Sequence, residues 1–214
     1  AFKTKTFAEA DSNAVYWRTQ TPADRLRALA FLNRQAWNIA PDEMLTLNRL
    51  VSTIRIRQMN NVFNADFREF IQALNEAKVD YILVGGYAVV LHGYSRTTGD
   101  IDLWIKPSAK NYQRLVKAFA KFQMPLFDMT QEKFLATQDY DVFSFGVPPV
   151  AIDLMTSVKG LEFDSTYANS SVYEFDDLSL RLVQYHDLLT AKRAAGRLKD
   201  LNDVEQLTKG REEE

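Results

Sequence analysis

The chain has 214 residues, a net charge of −2, no cysteine and 46% hydrophobic residues. This composition is enough for one domain with an appendage or for two small domains, and it excludes disulfide scaffolds and thiol catalysis. The small net charge argues against a broad nucleic-acid surface, and no apolar run approaches the roughly 18 residues of a membrane span. Because no secretory signal pattern opens the chain, we expect a cytoplasmic protein.

Residues 1–60 are predicted to form an N-terminal helical unit, followed by a second unit over residues 61–214. Thr21-Pro22 indicates a helix start, because threonine caps helices well and proline fits the first turn. A second apolar stripe over residues 44–54 predicts another helix, and the pattern breaks near Met59. The first helix has its apolar residues at helical spacing: Leu26, Leu29, Leu32 and Trp37.

A glycine pair follows the first strand candidate of the second unit. An amphipathic helix over residues 66–74 leads to the apolar strand 81–84, then to Gly85-Gly86 and a helix from Tyr87. Glycines between a strand and a helix let backbone N–H groups approach a phosphate. We therefore predict that Gly85 and Gly86 contact phosphate, and the alternative is a tight turn without a ligand.

Two carboxylates, Asp100 and Asp102, lie two positions apart within the apolar run 100–105. Side chains of a strand alternate between its faces, so both acids point one way while Ile101 and Leu103 point into a core. Acids on one face repel each other, and a bound cation removes that repulsion. Because hard oxygen ligands favour Mg²⁺ together with substrate phosphates, the pair predicts a metal site for a nucleoside triphosphate. Two solvated acids on an edge strand are the alternative.

A third acid, Asp153, lies within the strand candidate 150–156, which is expected to form a hairpin with residues 141–145. If Ile152 and Leu154 face the core, Asp153 faces the same side as the acid pair. Two metal ions about 3.5–4 Å apart need shared carboxylates to clamp an in-line phosphoryl displacement. We therefore predict two Mg²⁺ ions held by the three acids, with Asp153 also accepting the proton of the nucleophile.

The loop before the acid pair contains two further candidate binding residues, Arg96 and Thr98. Arg96 either contacts phosphate oxygens with its forked guanidinium or pairs with a surface acid. The predicted fold is α/β (α+β), with a small twisted mixed sheet flanked by helices. Its remaining elements are a helix over 108–122, a strand over 178–183, and helices near 185–196 and 199–208.

Several motifs occur together in one order: 85–88 with its glycine pair, 92–102 with its paired acids, the lone Asp153, and the segment 187–203. In this combination the chain resembles the nucleotidyltransferase superfamily with the polymerase-beta-type fold. The similarity is to its small bacterial members, which include minimal nucleotidyltransferases and relatives of abortive-infection toxins. It covers about residues 64–209.

The resemblance also bears on the C-terminal helices and on the glycine motif. It implies that Lys192 reaches the nucleotide, and the alternative is a solvated helix face. Lys199, Asp200 and Asp203 are expected to form a helix cap and structural pairs. Tyr87 follows the glycine pair, where many active members place a serine in this motif, so phosphate binding would depend on backbone groups.

The function that the resemblance implies is transfer of a nucleoside monophosphate from an NTP, with release of pyrophosphate. The acceptor stays open between a protein side chain, a small molecule and a tRNA end. The alternative is a nucleotide-binding interaction module or antitoxin-type partner with little or no turnover; three mutually repelling acids favour catalysis. An open site needs a cover, so we expect a homodimer or a separate protein partner. Candidate contacts are the aromatic residues Tyr16, Trp17 and Trp37.

Overall fold

A six-stranded mixed sheet lies at the centre of the fold. The computed structural model describes residues 19–37, 39, 64–147, 150–175 and 178–212. The strands are β1 (Tyr81–Leu83), β2 (Asp100–Ile105), β3 (Val142–Val147), β4 (Val150–Met155), β5 (Ser171–Phe175) and β6 (Leu178–Leu182). Their order across the sheet is β3-β4-β2-β1-β6-β5. β2 runs parallel to β4 and β1 parallel to β6, while the other neighbours are antiparallel. The predicted mixed α/β fold is confirmed.

Eight helices are described around this sheet. They are α1 (Pro22–Ala36), α2 (Ala65–Glu76), α3 (Gly85–Leu91), α4 (Ala109–Lys121), α5 (Gln131–Leu135), α6 (Phe163–Asn169), α7 (Tyr185–Ala195) and α8 (Leu198–Glu212). Phe70 of α2 packs against Phe119 of α4 and against Phe122, with ring centroids 5.4 and 5.0 Å apart. Within the described ranges, no helix combines the length and apolarity that crossing a bilayer requires.

Helix α1 packs on the rest of the structure and shares its core. Its N-cap is Thr21, whose side chain accepts a hydrogen bond from the Asp24 backbone N–H, as the sequence predicts. Leu26 and Leu29 are fully buried in the same cluster as the sheet residues, and the Arg25 guanidinium donates to the Leu91 carbonyl at the end of α3. The predicted helix over residues 44–54, the junction at Met59, and Tyr16 and Trp17 lie outside the described residues. The division at residue 60 stays a prediction.

The observed elements differ from the predicted ones in two respects. α3 begins at Gly85, so both glycines belong to its first turn and do not precede it. β5, α5 and α6 were not predicted, because short elements carry little periodicity of their own. β5 lies at the edge of the sheet beside β6, and its side chains at 171–174 are exposed or half-buried, so its sequence lacks the buried alternation that predicts a strand.

The docking of α1 should be measurable as stability. We expect Leu29→Ala to lower the free energy of unfolding by about 2–5 kcal/mol, because the side chain is fully buried and leaves a cavity. Arg27→Ala, on the exposed face of the same helix, should change it by less than about 0.5 kcal/mol. Urea denaturation measures both values. Equal, small effects would show that α1 contributes little to the common core.

Candidate functional site

Three carboxylates converge where β2 and β4 run side by side. In the parallel register Asp102 is opposite Asp153, and Asp100 precedes it on the same face of β2. One carboxylate oxygen from each of the three acids lies within 4.8 Å of the others. The alternating neighbours Ile101, Leu103, Ile152 and Leu154 are fully buried on the opposite face of the sheet. Strand alternation therefore produces both the core and the acidic cluster, as the sequence indicated.

Two acids of the cluster, Asp102 and Asp153, have raised pKa values. Burial, followed by repulsion from Asp100, raises the pKa of Asp102 to about 6. Burial is also the main cause of the raised pKa of Asp153; Asp100 adds to it, and a hydrogen bond with the Ser144 side chain opposes it. A cation among these oxygens would reverse both effects, because opposite charge favours the ionised carboxylates. The donor set, three carboxylates and no nitrogen or sulfur ligand, fits Mg²⁺.

The glycine pair packs directly against the site. Gly85 has a φ of 62°, and a Cβ at this position would overlap the Asp102 carboxylate. A Cβ on Gly86 would overlap the Thr98 hydroxyl, and the Gly86 backbone N–H donates to Asp102 Oδ2 at 3.1 Å. Close approach of side chains thus accounts for both glycines without a ligand. Their predicted contact with phosphate stays a prediction.

The loop between α3 and β2 is held by polar contacts on both sides. Thr98 Oγ1 donates to Asp100 Oδ1 at 3.0 Å. Arg96 Nε lies 2.7 Å from Asp203 Oδ1 of α8. We predicted that Arg96 either contacts phosphate or pairs with a surface acid. It does pair with an acid, but Asp203 is 0% exposed and therefore buried. Arg96 also lines a cavity that the three acids share.

Lys192 is 5% exposed, so the interpretation as a solvated helix face is wrong. Its Nζ lies 2.8 Å from Asp200 Oδ1 and 2.8 Å from Asp203 Oδ2. Asp200 also accepts a hydrogen bond from Arg197 Nε at 2.5 Å. Burial alone would raise the pKa of Asp200, but the bonds from Arg197 and Lys192 outweigh it and lower that pKa. The structural pairs predicted for Asp200 and Asp203 are therefore present.

A cavity of about 430 Å³ connects the acids with these cations. The three acids and the glycine pair lie along it, and so do Lys159, Lys192, Arg197 and Lys199 as well as Arg96. The positive charge of Lys192 partly opposes the rise in the pKa of Asp102, and that of Lys199 partly opposes the rise in the pKa of Asp153. A cavity lined by clustered carboxylates and by cations is suited to a polyphosphate that carries a metal ion, because each charge then has a complement.

Two contributors were not predicted from the sequence. Ser144 is opposite Asp153 in the β3–β4 hairpin and bonds its carboxyl group; aligning the two predicted strands of the hairpin residue by residue would have found it. Asn33 of α1 hydrogen-bonds the backbone of Thr98, 65 residues away. No local pattern indicates that contact.

The raised pKa of Asp102 predicts how stability depends on pH without metal. Its pKa of about 6 in the folded protein exceeds the usual value of 3.8 for an aspartate. The protonated carboxyl group therefore contributes stability that is present below about pH 4 and is lost as the pH rises to about 6. Asp102→Asn should therefore be as stable as the parent near pH 4 and more stable by roughly 2–3 kcal/mol at pH 7–8. Urea denaturation in chelator measures the difference. A difference that does not change with pH would contradict the assignment.

Most of the chain matches one protein family. Residues 62–208 match the model of a family described as nucleotidyltransferase of unknown function (DUF6036). No curated protein matches the chain. The matched segment runs from the start of α2 into α8 and so includes all six strands, both glycines and the three converging acids. The chain therefore belongs to this nucleotidyltransferase family.

Proposed function

We propose that the protein transfers a nucleoside monophosphate from an NTP to an acceptor, with Mg²⁺ as cofactor and pyrophosphate as the leaving group. The observation that carries the proposal is the convergence of Asp100, Asp102 and Asp153 within 4.8 Å in a chain of a nucleotidyltransferase family. Mg²⁺ ions held there would neutralise charge on the triphosphate oxygens. Asp100 and Asp102 would hold the ion on the triphosphate, and Asp153 would share the second.

The chain's own groups supply the remaining parts of this proposal. The acceptor oxygen attacks the α-phosphorus, the bond to pyrophosphate breaks, and Asp153 accepts the acceptor's proton. The backbone N–H of Gly85 would bind a phosphate oxygen. The backbone N–H of Gly86 already donates to Asp102 Oδ2, so it would hold that carboxylate in place, and a phosphate could share the donor only in part.

Lys192 would act on the nucleotide mainly through its charge. An ammonium group has three donors, and Asp200 and Asp203 accept two of them. Lys192 also lines the cavity, so its positive potential would act on a nucleotide bound there. Arg96 lies beside it and is tied to Asp203, so both cations are fixed before a substrate arrives. Fixed charges cost no reorganisation when the nucleotide binds.

Nucleotide binding tests this proposal directly. Calorimetric titration with each of the four Mg-NTPs should show binding of at least one of them to the parent, and Asp100→Asn should abolish it. Asp141→Asn is the matched control, because Asp141 lines the same cavity but lies outside the three-acid group. If Asp100→Asn binds Mg-NTP as well as the parent does, the metal assignment is wrong.

The acceptor, the partner and the location remain part of the proposal. A protein side chain or a small molecule is the proposed acceptor class, and a cytoplasmic site of action is proposed with it. Trp37, the residue that caps the C-terminal end of α1, is 48% exposed. Its exposure suits a contact with a second copy or with a separate protein. Light scattering at micromolar concentration separates the two, since a strict monomer would rule out the homodimer. Nucleotide binding without any transfer would favour the alternative, an interaction module with little or no turnover.

A further inference from the structure

We propose that helix α1, which lies outside the segment matched by the family, completes the metal site by fixing Asp100 through Asn33 and Thr98. This inference rests on the proposed function, because it assigns a positioning residue to the same carboxylate cluster. The family match begins at residue 62, whereas Asn33 lies in the last turns of α1 (Pro22–Ala36). A helix outside the matched segment would thus control the geometry of the centre.

The contact between Asn33 and Thr98 uses both polar ends of one amide. Asn33 Nδ2 donates to the Thr98 carbonyl at 2.6 Å, and the Thr98 backbone N–H donates to Asn33 Oδ1 at 3.0 Å. Asn33 is 8% exposed and Thr98 is 7% exposed, so water competes little for these bonds. Two antiparallel bonds to a single residue fix both the position and the orientation of its backbone.

Thr98 passes this constraint on to the metal-binding acid. Its hydroxyl donates to Asp100 Oδ1 at 3.0 Å, which sets the direction of that carboxylate. On its other side the hydroxyl packs against Gly86, where no side chain would fit. Groups that orient metal ligands in this way matter nearly as much as the ligands, because a ligand oxygen must be aimed before the ion arrives.

The loop needs such an external support. Residues 94–99 form neither helix nor strand, and β2 begins only at Asp100. Without a ladder of its own, the backbone at Thr98 would have no partner inside the loop. A buried amide that is bonded through both its nitrogen and its oxygen occupies this point, although Leu26 and Leu29 already bury the apolar face of α1. An apolar residue would attach the helix equally well, but it would leave the Thr98 backbone unbonded.

Metal affinity tests the inference without requiring turnover. Mn²⁺ binding, measured by electron paramagnetic resonance on the full chain, should weaken about tenfold in Asn33→Ala and about 10–100-fold in Thr98→Val. Thr98→Ser keeps the hydroxyl and should bind as the parent does. Leu29→Ala is the matched control: it loosens α1 and lowers the melting temperature but leaves the Asn33 amide in place, so its Mn²⁺ affinity should stay close to that of the parent.

The double variant separates positioning from general damage. If Asn33 acts through Thr98, Asn33→Ala in the Thr98→Val background should add almost nothing to the loss of affinity. Parent-like affinity of Asn33→Ala would overturn the inference and leave the proposed function intact. Equal weakening by Asn33→Ala and Leu29→Ala would overturn it as well, by showing a merely structural helix. Failure of the parent to bind Mn²⁺ would instead overturn the metal centre itself, and this inference with it.

Discussion

Asp102→Asn should reduce nucleotidyl transfer by about 10³-fold or more while leaving the protein folded. Asp102 is opposite Asp153 and accepts the Gly86 N–H, so it lies at the middle of the acidic cluster. An amide keeps the shape and still accepts that hydrogen bond, but it removes the negative charge that a metal ion needs. Charge stabilisation by a metal ion is worth several kcal/mol in the transition state, which corresponds to a loss of this size.

Single-turnover release of pyrophosphate measures the effect, and the melting temperature in chelator shows that folding is intact. The variant should melt at or above the parent temperature near neutral pH, because one of three mutually repelling charges is gone. Asp141→Asn, which changes an acid at the cavity outside the cluster, should retain activity within a few-fold of the parent. Activity of Asp102→Asn within tenfold of the parent would show that this carboxylate does not hold a metal ion.

Lys192→Met should destabilise the protein by about 3–5 kcal/mol, the usual cost of removing one partner from a buried ion pair. The Lys192 ammonium separates two carboxylates, Asp200 and Asp203, which are both 0% exposed. Methionine fills the volume but leaves the two acids without the cation between them. Arg96 would still pair with Asp203 and Arg197 with Asp200, which keeps the loss finite.

A variant of a neighbouring cation provides the control for the urea denaturation of Lys192→Met. Arg193→Met, on the exposed side of the same helix, should change the free energy of unfolding by less than about 0.5 kcal/mol. Adding Asp200→Asn to Lys192→Met should restore part of the stability, because one uncompensated buried charge is removed. If Lys192→Met is as stable as Arg193→Met, the buried cluster does not stabilise the fold.

The acidic cluster was predictable because local pattern determines it. Asp100 and Asp102 alternate with buried residues in one strand, and Asp153 does the same in another. Strand alternation then fixes which face each acid occupies, and only the pairing of β2 with β4 had to be supplied by the fold. The order of glycine pair, acid pair and lone acid was enough to indicate the superfamily.

The surroundings of the cluster were not predictable in the same way. Arg96 pairs with Asp203, 107 residues later in the chain, and Asn33 bonds Thr98 across 65 residues. Neither contact leaves a periodic trace in the sequence. The reason for the two glycines was only partly predictable. The sequence indicated that small residues suit a phosphate, but not that Asp102 and Thr98 occupy the space where side chains on Gly85 and Gly86 would lie. Short elements such as β5 were missed because five residues carry little periodicity of their own.

Transfer of the α-phosphate tests the proposed nucleotidyl transfer most directly. The parent should be incubated with Mg²⁺ and NTPs labelled with ³²P at either the α or the γ position, alone and with cell extract. We expect label on an acceptor from the α position only, with pyrophosphate released, and none with Asp102→Asn. Label arriving from the γ position, or no label from the α position in any mixture although Mg-NTP binds, would contradict nucleotidyl transfer.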